Sequence, residues 1–411
     1  MKKGWELTSL IEFCTFSNGL WTGKKPPFQK IGVIRNTNFK KDGNLDDTDI
    51  VFIDVEQSQF AKRKLQYGDI ILEKSGGGPK QPVGRVVLFN KEEGDFSYSN
   101  FTSCIRVLDT RKVYFKYLHK FLYFIYISGA TEVMQSNSTG IRNLKFDDYK
   151  NIKVPLPPLS EQNEIVSILD NAFESIELAK SNAEQNLKNT KELFDSYLQK
   201  IFVNKEDDWE EKTLGELCYK ITDGSHNPPK GIDYSAYLML SSRDIYEEQI
   251  HFNKPRYLSK KDFESENKRT AIQAGDVLLT IVGTIGRVAV VPTEFPNFTL
   301  QRSVAVLKPN NHIINSYFLK FILQNSLSLL ISESRGAAQK GIYLNQLKMI
   351  KISIPLISKQ HQIVKMLDLL FEETKKLESL YLQKLNDLEE LKKSVLLKAF
   401  NGELRTSKIS A

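Results

Sequence analysis

The sequence predicts an α+β protein in which two mostly β modules with short helices alternate with two long α-helices. Three observations carry this prediction. Apolar residues across 160–204 recur at three- and four-residue spacing with no Gly or Pro between them, as in a coiled-coil helix. Residues 355–402 repeat that segment about 198 positions later. The two intervening segments consist of short apolar runs separated by polar, Gly- and Pro-containing turns, a pattern typical of compact β structure.

The first long helix follows a Pro-rich stop in the segment PLPPLSEQNEIV. Ser160 is the predicted N-cap, and Glu161 lies in the first turn, where the helix dipole favours an acidic residue. The spacing predicts a seam of about five heptads that pairs with its copy as an antiparallel coiled coil. The predicted seam residues are Val166, Leu169, Phe173, Leu187, Phe194, Ile201, Val364, Leu367, Phe371, Leu385, Leu388 and Val395.

The repeat extends to the whole chain, with a period near 200 residues. Gln162 corresponds to Gln360, and Trp209-Glu210 lies 204 positions after Trp5-Glu6. Antiparallel pairing of the helices predicts an internal pseudo-twofold relation between the modules; dimerisation of two chains through the helices is the alternative. The predicted boundaries are 1–154 and 205–354 for the modules, 155–204 and 355–402 for the helical regions, and 403–411 for a C-terminal tail.

The modules share a framework but differ in their loops. Gly275-Asp276 and the apolar run after it match Gly68-Asp69 and its run, whereas residues 73–81 have no likeness to residues 280–284. In the first module we expect strands and a helix in the following order: Ile31–Arg35, Asp69–Leu72, Val83–Phe89, Ser103–Leu108, a helix over Tyr114–Ile127, and Ile152–Leu156. One scaffold with two loop sets indicates two different ligands of one chemical class.

Composition narrows the class of protein. The formal charge of +7 permits an anionic partner without demanding one. Three isolated cysteines indicate reduced thiols and neither a disulfide framework nor a zinc site. The N-terminus has no apolar signal region, and the longest apolar run is far too short to span a membrane. We therefore expect a cytoplasmic protein with no membrane association.

Two features invite a binding role. The glycine-rich run 76–80 lacks the spacing of a phosphate-binding loop, and Pro79 removes an amide donor. Its small residues and lysines suit close approach to DNA, although a plain β-turn is the alternative. Arg85 and Arg287 share a framework position and are either phosphate clamps or partners in a surface salt bridge.

Several motifs resemble catalytic or metal-binding sites, but each lacks a residue or a spacing that the chemistry requires. Residues 227–230 read Asn-Pro-Pro-Lys, which resembles the motif of amino-group methyltransferases, but Lys230 stands where those enzymes need an aromatic residue. Asp223 and His226 could form an acid–base pair, yet no nucleophile accompanies them. The histidines have no metal-ligand spacing. We predict no catalytic residue and no metal site.

Four features together point to a family: the repeat, the PLPPLSEQNEIV helix entry, the Gly-Asp strands and the TDGSH loop at residues 222–226. On these features the chain resembles the specificity subunit of type I restriction–modification systems over essentially its full length. The first module departs from this pattern, because Ser17-Asn18-Gly19 stands where the second has TDGSH. The resemblance implies that the modules are target-recognition domains and the helices are spacers.

The resemblance implies a non-catalytic, cytoplasmic, prokaryotic subunit that reads a split, asymmetric site in double-stranded DNA, one half-site per domain. Its implied partners are two modification (methyltransferase) subunits and ATP-dependent restriction subunits with translocase and nuclease activity. No cofactor is expected in this chain; S-adenosylmethionine, ATP and Mg²⁺ belong to the partners, which flip and methylate adenine. The alternatives are a self-sufficient methyltransferase or nuclease, whose motifs are absent, and a standalone coiled-coil DNA-binding or structural adaptor without such partners.

A DNA reader delivers polar and basic side chains to base edges and phosphates from loops on a stiff scaffold. The predicted DNA-binding residues of the first module are Lys74, Ser75, Gly76, Gly77, Lys80, Gln81, Arg85, Asn137, Ser138, Thr139 and Arg142. Those of the second module are Thr222, Asp223, Ser225, His226, Arg287, Gln301, Arg302, Gln339, Lys340 and Tyr343.

Overall fold

The computed structural model describes residues 2–78, 81–138, 141–204, 208–332, 334 and 341–404. It forms two compact units, the first made of Met1–Glu184 with Leu382–Ala411 and the second of Gln185–Tyr381. Both divisions fall inside long helices, so each unit consists of one mostly β module and parts of both helices. The predicted α+β architecture is confirmed.

The first unit begins with short strands and helices in alternation. Its strands are β1 (Glu6–Ser9), β2 (Cys14–Asn18), β3 (Phe28–Ile34), β4 (Val51–Glu56), β5 (Ile70–Glu73), β6 (Ser75–Gly77), β7 (Val86–Leu88), β8 (Phe96–Tyr98), β9 (Thr102–Val107), β10 (Gln135–Ser138), β11 (Ile141–Leu144) and β12 (Lys153–Leu156). Its helices are α1 (Leu10–Phe13), α2 (Gln57–Ala61), α3 (Phe115–Ile127), α4 (Phe146–Lys150) and the start of α5 (Leu159–Val203).

Four sheets organise these strands. The central one is antiparallel with the order β2-β9-β5-β7, and a second has the order β4-β3-β8, in which β3 and β8 run parallel. A third joins β10, β11 and β6. Strand β1 pairs with β12, so that Leu7 lies opposite Pro155. This last pairing brings the start of the module to the point where α5 begins.

The second unit repeats this order. Its strands are β13 (Glu210–Thr213), β14 (Cys218–Asp223), β15 (Tyr237–Leu240), β16 (Ile245–Tyr246), β17 (Gln249–Ile250), β18 (Arg256–Tyr257), β19 (Val277–Thr280), β20 (Val288–Val290), β21 (Asn297–Leu300), β22 (Val304–Pro309) and β23 (Lys351–Ile354). Its helices are α6 (Leu214–Leu217), α7 (Lys260–Thr270), α8 (Ser316–Asn325), α9 (Leu327–Ser332), α10 (Leu344–Met349) and the start of α11 (Ile357–Phe400).

Three of the four sheets of the first unit recur in the second. The order β14-β22-β19-β20 reproduces the central antiparallel sheet, β18-β15-β21 reproduces the sheet with one parallel pair, and β13 pairs with β23 as β1 pairs with β12. The difference lies in the loops. The second unit adds the β16-β17 hairpin, and only an isolated bridge between Val282 and Gly341 is described where the first unit has its β10-β11-β6 sheet.

The repeated glutamines fasten each long helix to its module. Gln162 is fully buried; its Oε1 accepts a hydrogen bond from the Tyr114 N–H at 2.8 Å and its Nε2 donates to the Pro157 carbonyl at 2.9 Å. Gln360 makes the equivalent bonds with Asn315 and with the carbonyl of Pro355. Helix α5 starts at Leu159, so the predicted N-cap Ser160 lies one residue inside the helix.

Within each unit the two long helices run antiparallel. In the first unit, Lys180 pairs with Glu389 at 2.7 Å and Glu177 with Lys392 at 3.3 Å. Residue numbers therefore increase along α5 where they decrease along α11. In the second unit, the rings of Phe194 and Phe371 are 5.5 Å apart and the Tyr197 hydroxyl reaches Met366. Every predicted seam residue is buried or half-buried.

Helix seam and β module share one hydrophobic core in each unit. In the first, Leu169 and Leu396 pack with Ile70 and Ile105 of the central sheet. In the second, Leu367 packs in the same core as sheet residues such as Leu279. Burial of this apolar surface fixes the module on the helices.

Candidate nucleic-acid interface

The Gly-Asp motif that the modules share is part of the scaffold. Asp69 is almost fully buried and binds the Arg106 guanidinium, with Nε 2.6 Å from Oδ1. Asp276 binds the equivalent Lys308 Nζ at 2.5 Å, and both side chains are 4% exposed. In each case the carboxylate joins the start of one central strand to its neighbour, and the repeated sequence therefore reflects stability and not recognition.

Among the described residues of the glycine-rich segment, Ser75–Gly77 form a strand, and the Gln81 N–H donates to the Gly78 carbonyl at 3.1 Å, the spacing of a β-turn hydrogen bond. Ser75–Gly77 pairs with β11, and Ser75 Oγ donates to Asn143 Oδ1 at 2.5 Å. Gly76 has a φ of +99°, a left-handed conformation that glycine adopts without strain. Lys74 Nζ donates to Asn18 Oδ1 at 2.8 Å, and burial lowers the pKa of this lysine. Gln81 is exposed, and Lys80 lies outside the described residues.

The structure favours a scaffold role for Arg85. Its guanidinium donates two hydrogen bonds to the Glu73 carboxylate, from Nε to Oε2 at 2.7 Å and from Nη2 to Oε1 at 2.8 Å. The Glu73 side chain is 2% exposed and that of Arg85 15%. A guanidinium committed to a buried carboxylate is a poor phosphate clamp, so this pairing favours the salt-bridge alternative for Arg85, and its DNA contact stays a prediction. Arg287 is exposed, and its Nη1 donates to the carbonyl of Ile245 at 3.3 Å.

The remaining predicted residues of the first unit lie on or beside the β10-β11 hairpin. Arg142 is half-buried in β11, with Nη1 3.5 Å from Gln135 Oε1. Asn137 and Ser138 belong to β10, but their side chains lie outside the described part, as does the whole of Thr139.

In the second unit several predicted residues meet at a cavity of about 500 Å³. Asp223, His226 and Arg302 line it together with Tyr343, whose ring is 67% exposed. Arg269 of α7 also lines this cavity and had not been predicted. The cavity brings three basic side chains, one carboxylate and an aromatic ring to one concave surface, a combination suited to the bases and phosphates of DNA.

Thr222 and Ser225 flank Asp223 but are themselves buried. The Ser225 N–H donates to the Leu300 carbonyl at 2.7 Å, and its carbonyl accepts from the Arg302 N–H at 2.9 Å. The main-chain bonds of Ser225 hold the loop in place, and the roles of Thr222 and Ser225 as DNA contacts stay predictions. Gln301 is half-buried next to them, and Gln339 and Lys340 lie outside the described residues.

Asp223 organises the polar side of the cavity. It is 5% exposed, and its Oδ1 accepts a hydrogen bond from Nη2 of Arg269. Its Oδ2 lies 2.9 Å from Nε2 of His226. The Nε of Arg269 donates in addition to the main-chain carbonyl of Asp223 at 3.1 Å. One buried carboxylate thus orients a guanidinium and an imidazole at the same time.

An arginine at the equivalent place recurs in the first unit. The register of the central sheets aligns Asn18 with Asp223, since Asn18 lies opposite Ser103 and Asp223 opposite Ala305. The Nε of Arg63, just beyond α2, donates to the Asn18 carbonyl at 3.2 Å, as that of Arg269 does to Asp223. Sequence reasoning missed both arginines because each lies about 45 residues from its partner along the chain.

A glycine follows each of these anchor residues, and neither has room for a side chain. A Cβ on Gly19 would lie 1.8 Å from the Ser99 carbonyl oxygen, and one on Gly224 would lie 2.0 Å from that of Leu300. Close approach of two backbone segments therefore fixes where the anchored arginine stands in each unit.

The described residues lack both a metal-binding cluster and a membrane-spanning helix. No group of three or more His, Cys, Asp or Glu side chains there is arranged to hold a metal ion. Among the same residues, no helix has the length and apolar character needed to cross a membrane.

Comparison with known proteins identifies the family. The model of the type I restriction modification DNA specificity domain matches residues 2–189 and again 206–389. The chain is 27% identical to the type I restriction enzyme EcoBI specificity subunit of Escherichia coli, over 70% of this chain and 66% of that protein. It is 24% identical to the EcoKI specificity subunit of Escherichia coli K12, over 98% of this chain and 90% of that protein.

Solved structures share the fold. One is a chain from a structural study of complex assembly and conformational transition in the type I R-M system. It superposes on this chain with a TM-score of 0.77 at 19% identity, and the alignment covers 98% of this chain and 99% of that chain. The HsdS subunit from Thermoanaerobacter tengcongensis has a TM-score of 0.67 at 19% identity and 98% coverage of both chains. Because the family model matches most of the sequence, and does so once in each half, the chain belongs to the type I restriction modification DNA specificity domain family.

Proposed function

We propose that this chain is the DNA-recognition subunit of a type I restriction–modification complex. Each unit reads one half of a split, asymmetric target in double-stranded DNA, and the paired helices set the unread spacer. The chain itself carries out no chemistry. Membership of the specificity-domain family supports this proposal, as do relatives that are specificity subunits of restriction enzymes.

The observation that carries the proposal is one scaffold with two unlike loop sets. Both units have the same central sheet, the same sheet with one parallel pair and the same arginine anchor. Above this scaffold the first unit has the β10-β11-β6 sheet, and the second has the cavity around Asp223. Two readers with a common architecture and different contact residues are what recognition of an asymmetric two-part site requires.

The contact residues that we propose combine predicted residues with the two anchored arginines. Exposed, half-buried or cavity-lining side chains with donors and acceptors suit base edges and phosphates, whereas Arg85, Thr222 and Ser225 are taken up by the scaffold. The proposed DNA contacts are Arg63, Lys74, Gln81 and Arg142 in the first unit and His226, Arg269, Arg302 and Tyr343 in the second.

The long helices are the proposed docking surface for two methyltransferase subunits. Their seams face each other within each unit, but leucines such as Leu178, Leu193, Leu369 and Leu380 remain exposed on the opposite faces. Exposed apolar side chains mark a further interface where they form one contiguous patch. S-adenosylmethionine would be bound by these partners, and ATP with Mg²⁺ by restriction subunits, in the cytoplasm of a prokaryotic cell.

Reconstitution tests the proposal. The chain is purified together with the methyltransferase subunit of the same genome, and transfer of labelled methyl groups from S-adenosylmethionine to DNA is measured with and without the chain. We expect sequence-specific methylation only when the chain is present. Methylation of the same sites by the methyltransferase alone, or failure of the two proteins to associate, would contradict the proposal.

A further inference from the structure

We propose that Asp223, His226 and Arg269 form a reading device for an adenine in the half-site of the second unit, in which His226 and Arg269 contact the base and Asp223 positions them. This inference rests on the proposed function and deepens it, since it names the base that the cavity recognises.

The first step concerns the anchor. Gly224 packs directly against the main chain of Leu300, which fixes the backbone at Asp223. The Asp223 carboxylate is buried, and a buried carboxylate needs hydrogen-bond donors to offset its lost hydration. Arg269 and His226 supply these donors, so both side chains are held in one orientation before any DNA arrives. Such preorganisation reduces the entropy lost on binding.

The second step concerns the imidazole. An ionised carboxylate only accepts hydrogen bonds, so in the neutral form of His226 the proton lies on Nε2, the nitrogen 2.9 Å from Asp223. This assignment follows from the hydrogen-bond network. The other ring nitrogen, Nδ1, is then an acceptor, and among the described residues it has no hydrogen-bond partner.

The third step concerns the guanidinium. Arg269 uses Nε for the Asp223 carbonyl and Nη2 for the Asp223 carboxylate. Its Nη1 makes no hydrogen bond to any described residue and remains a donor. His226 and Arg269 both line the cavity, which therefore offers one acceptor and one donor that the same carboxylate holds together.

Only one base fits this pair on its major-groove edge. Adenine presents the N6 amino donor beside the N7 acceptor, whereas guanine presents two acceptors, cytosine a donor, and thymine an acceptor beside a methyl group. The N6 amino group of adenine would donate to Nδ1 of His226, and N7 would accept from Nη1 of Arg269. Asparagine and glutamine read adenine with the same combination of one acceptor and one donor.

The first unit provides an internal comparison. Arg63 has the same main-chain anchor, but its neighbours are the Asn18 amide and the Lys74 ammonium, joined at 2.8 Å. Two basic side chains beside an amide offer mainly donors. We therefore expect the device to act in the half-site of the second unit alone.

The test measures DNA binding by the complex of the full chain with its methyltransferase subunits. Duplexes carry the methylated motif, and each base pair of the motif is replaced in turn. With the unaltered chain we expect an A·T pair at which replacement weakens binding by about 5- to 150-fold. His226→Phe keeps a ring but removes the acceptor, and discrimination at that single pair should fall below about threefold.

The controls separate recognition from folding. His312 is an exposed histidine of the same unit that does not line the cavity, so His312→Phe should leave every position unchanged. Asp223→Asn should relax the same A·T pair as His226→Phe. A uniform loss of affinity with Asp223→Asn, at unaltered discrimination, would show a merely structural role and overturn the positioning assignment.

The remaining outcomes are distinct. If His226→Phe leaves discrimination at every pair unchanged, if it relaxes a G·C pair, or if it relaxes both half-sites, the inference is overturned while the proposed function stands. If the unaltered complex shows no split motif at all, the proposed function itself fails.

Discussion

Replacing Gly224 with alanine should remove sequence preference in the second unit alone, because two backbone segments meet where the new methyl group must go. The added Cβ would lie 2.0 Å from the carbonyl oxygen of Leu300 and 2.2 Å from its carbon. Ordinary contacts of this kind exceed 3.0 Å, so the backbone must separate by about 1 Å. Overpacking of this kind costs about 1–3 kcal/mol of stability.

The functional loss follows from the same displacement. Hydrogen bonds have donor–acceptor distances of 2.7–3.2 Å, and a shift of about 1 Å places the groups held by Asp223 outside that range. Losing one two-bond base contact corresponds to about 1–3 kcal/mol of discrimination. The assay is sequencing of N6-methyladenine in cells that express the complex, together with thermal denaturation of the purified chain. We expect one half of the motif to become degenerate and the other half to persist.

Matched glycines provide the controls. A Cβ on Gly231 would lie 3.1 Å from the flexible Arg256 side chain and 3.6 Å from the Tyr257 carbonyl oxygen, an ordinary contact distance, so Gly231→Ala should preserve motif and stability. Gly19→Ala meets the Ser99 carbonyl at 1.8 Å and should affect the other half of the motif. Unaltered stability and an unaltered motif for Gly224→Ala would refute the reasoning.

Three further predictions concern stability. Phe400→Ala removes a buried ring 5.1 Å from the ring of Phe121, at the end of α11, and should lower the free energy of unfolding of the first unit by about 3–5 kcal/mol in denaturant titrations. Burial, reinforced by Lys120, lowers the pKa of His119 to about 4. In the unfolded chain this imidazole binds a proton near pH 6.5, whereas in the folded chain it does so only near pH 4. The free energy of unfolding therefore falls as the pH drops from 6.5 to 4, by about 2 kcal/mol between pH 7 and pH 5. His119→Phe should remove this part of the pH dependence. Asp276→Asn leaves the buried Lys308 ammonium without its counter-charge and should destabilise the second unit by about 3–5 kcal/mol in the same titrations.

Each of these has a control. Phe400→Leu keeps apolar volume and should cost less than Phe400→Ala; equal losses would argue against ring packing. His312→Phe, at an exposed site, should leave the pH dependence intact, and an identical change for both histidines would contradict the assignment to His119. Combining Asp276→Asn with Lys308→Met should recover most of the loss, because no unpaired charge remains; no recovery would contradict the ion-pair explanation.

The sequence predicts those parts of the fold that depend on the spacing of residues close together along the chain. The long helices follow from unbroken three- and four-residue spacing, and every predicted seam residue is buried or half-buried. The repeat of Gln162 at Gln360 marks the same two hydrogen bonds to the module at each helix start. The predicted order of strands in the first module agrees with the observed strands to within a few residues.

What sequence could not supply is the pairing of residues that lie far apart along the chain. Arg63 and Arg269 look like ordinary basic residues at the ends of surface helices until the fold brings them to Asn18 and Asp223. Arg85 had two equally reasonable roles, and only the burial of Glu73 beside it favours one.

Sequencing of N6-methyladenine across the genome of the native host, with and without this gene, tests directly whether the chain directs methylation. We expect deletion to remove one split, asymmetric motif and expression of the gene from a plasmid to restore it. An identical set of methylated motifs in both strains, while the partner methyltransferase is expressed and active, would contradict the claim that this chain directs methylation by reading DNA.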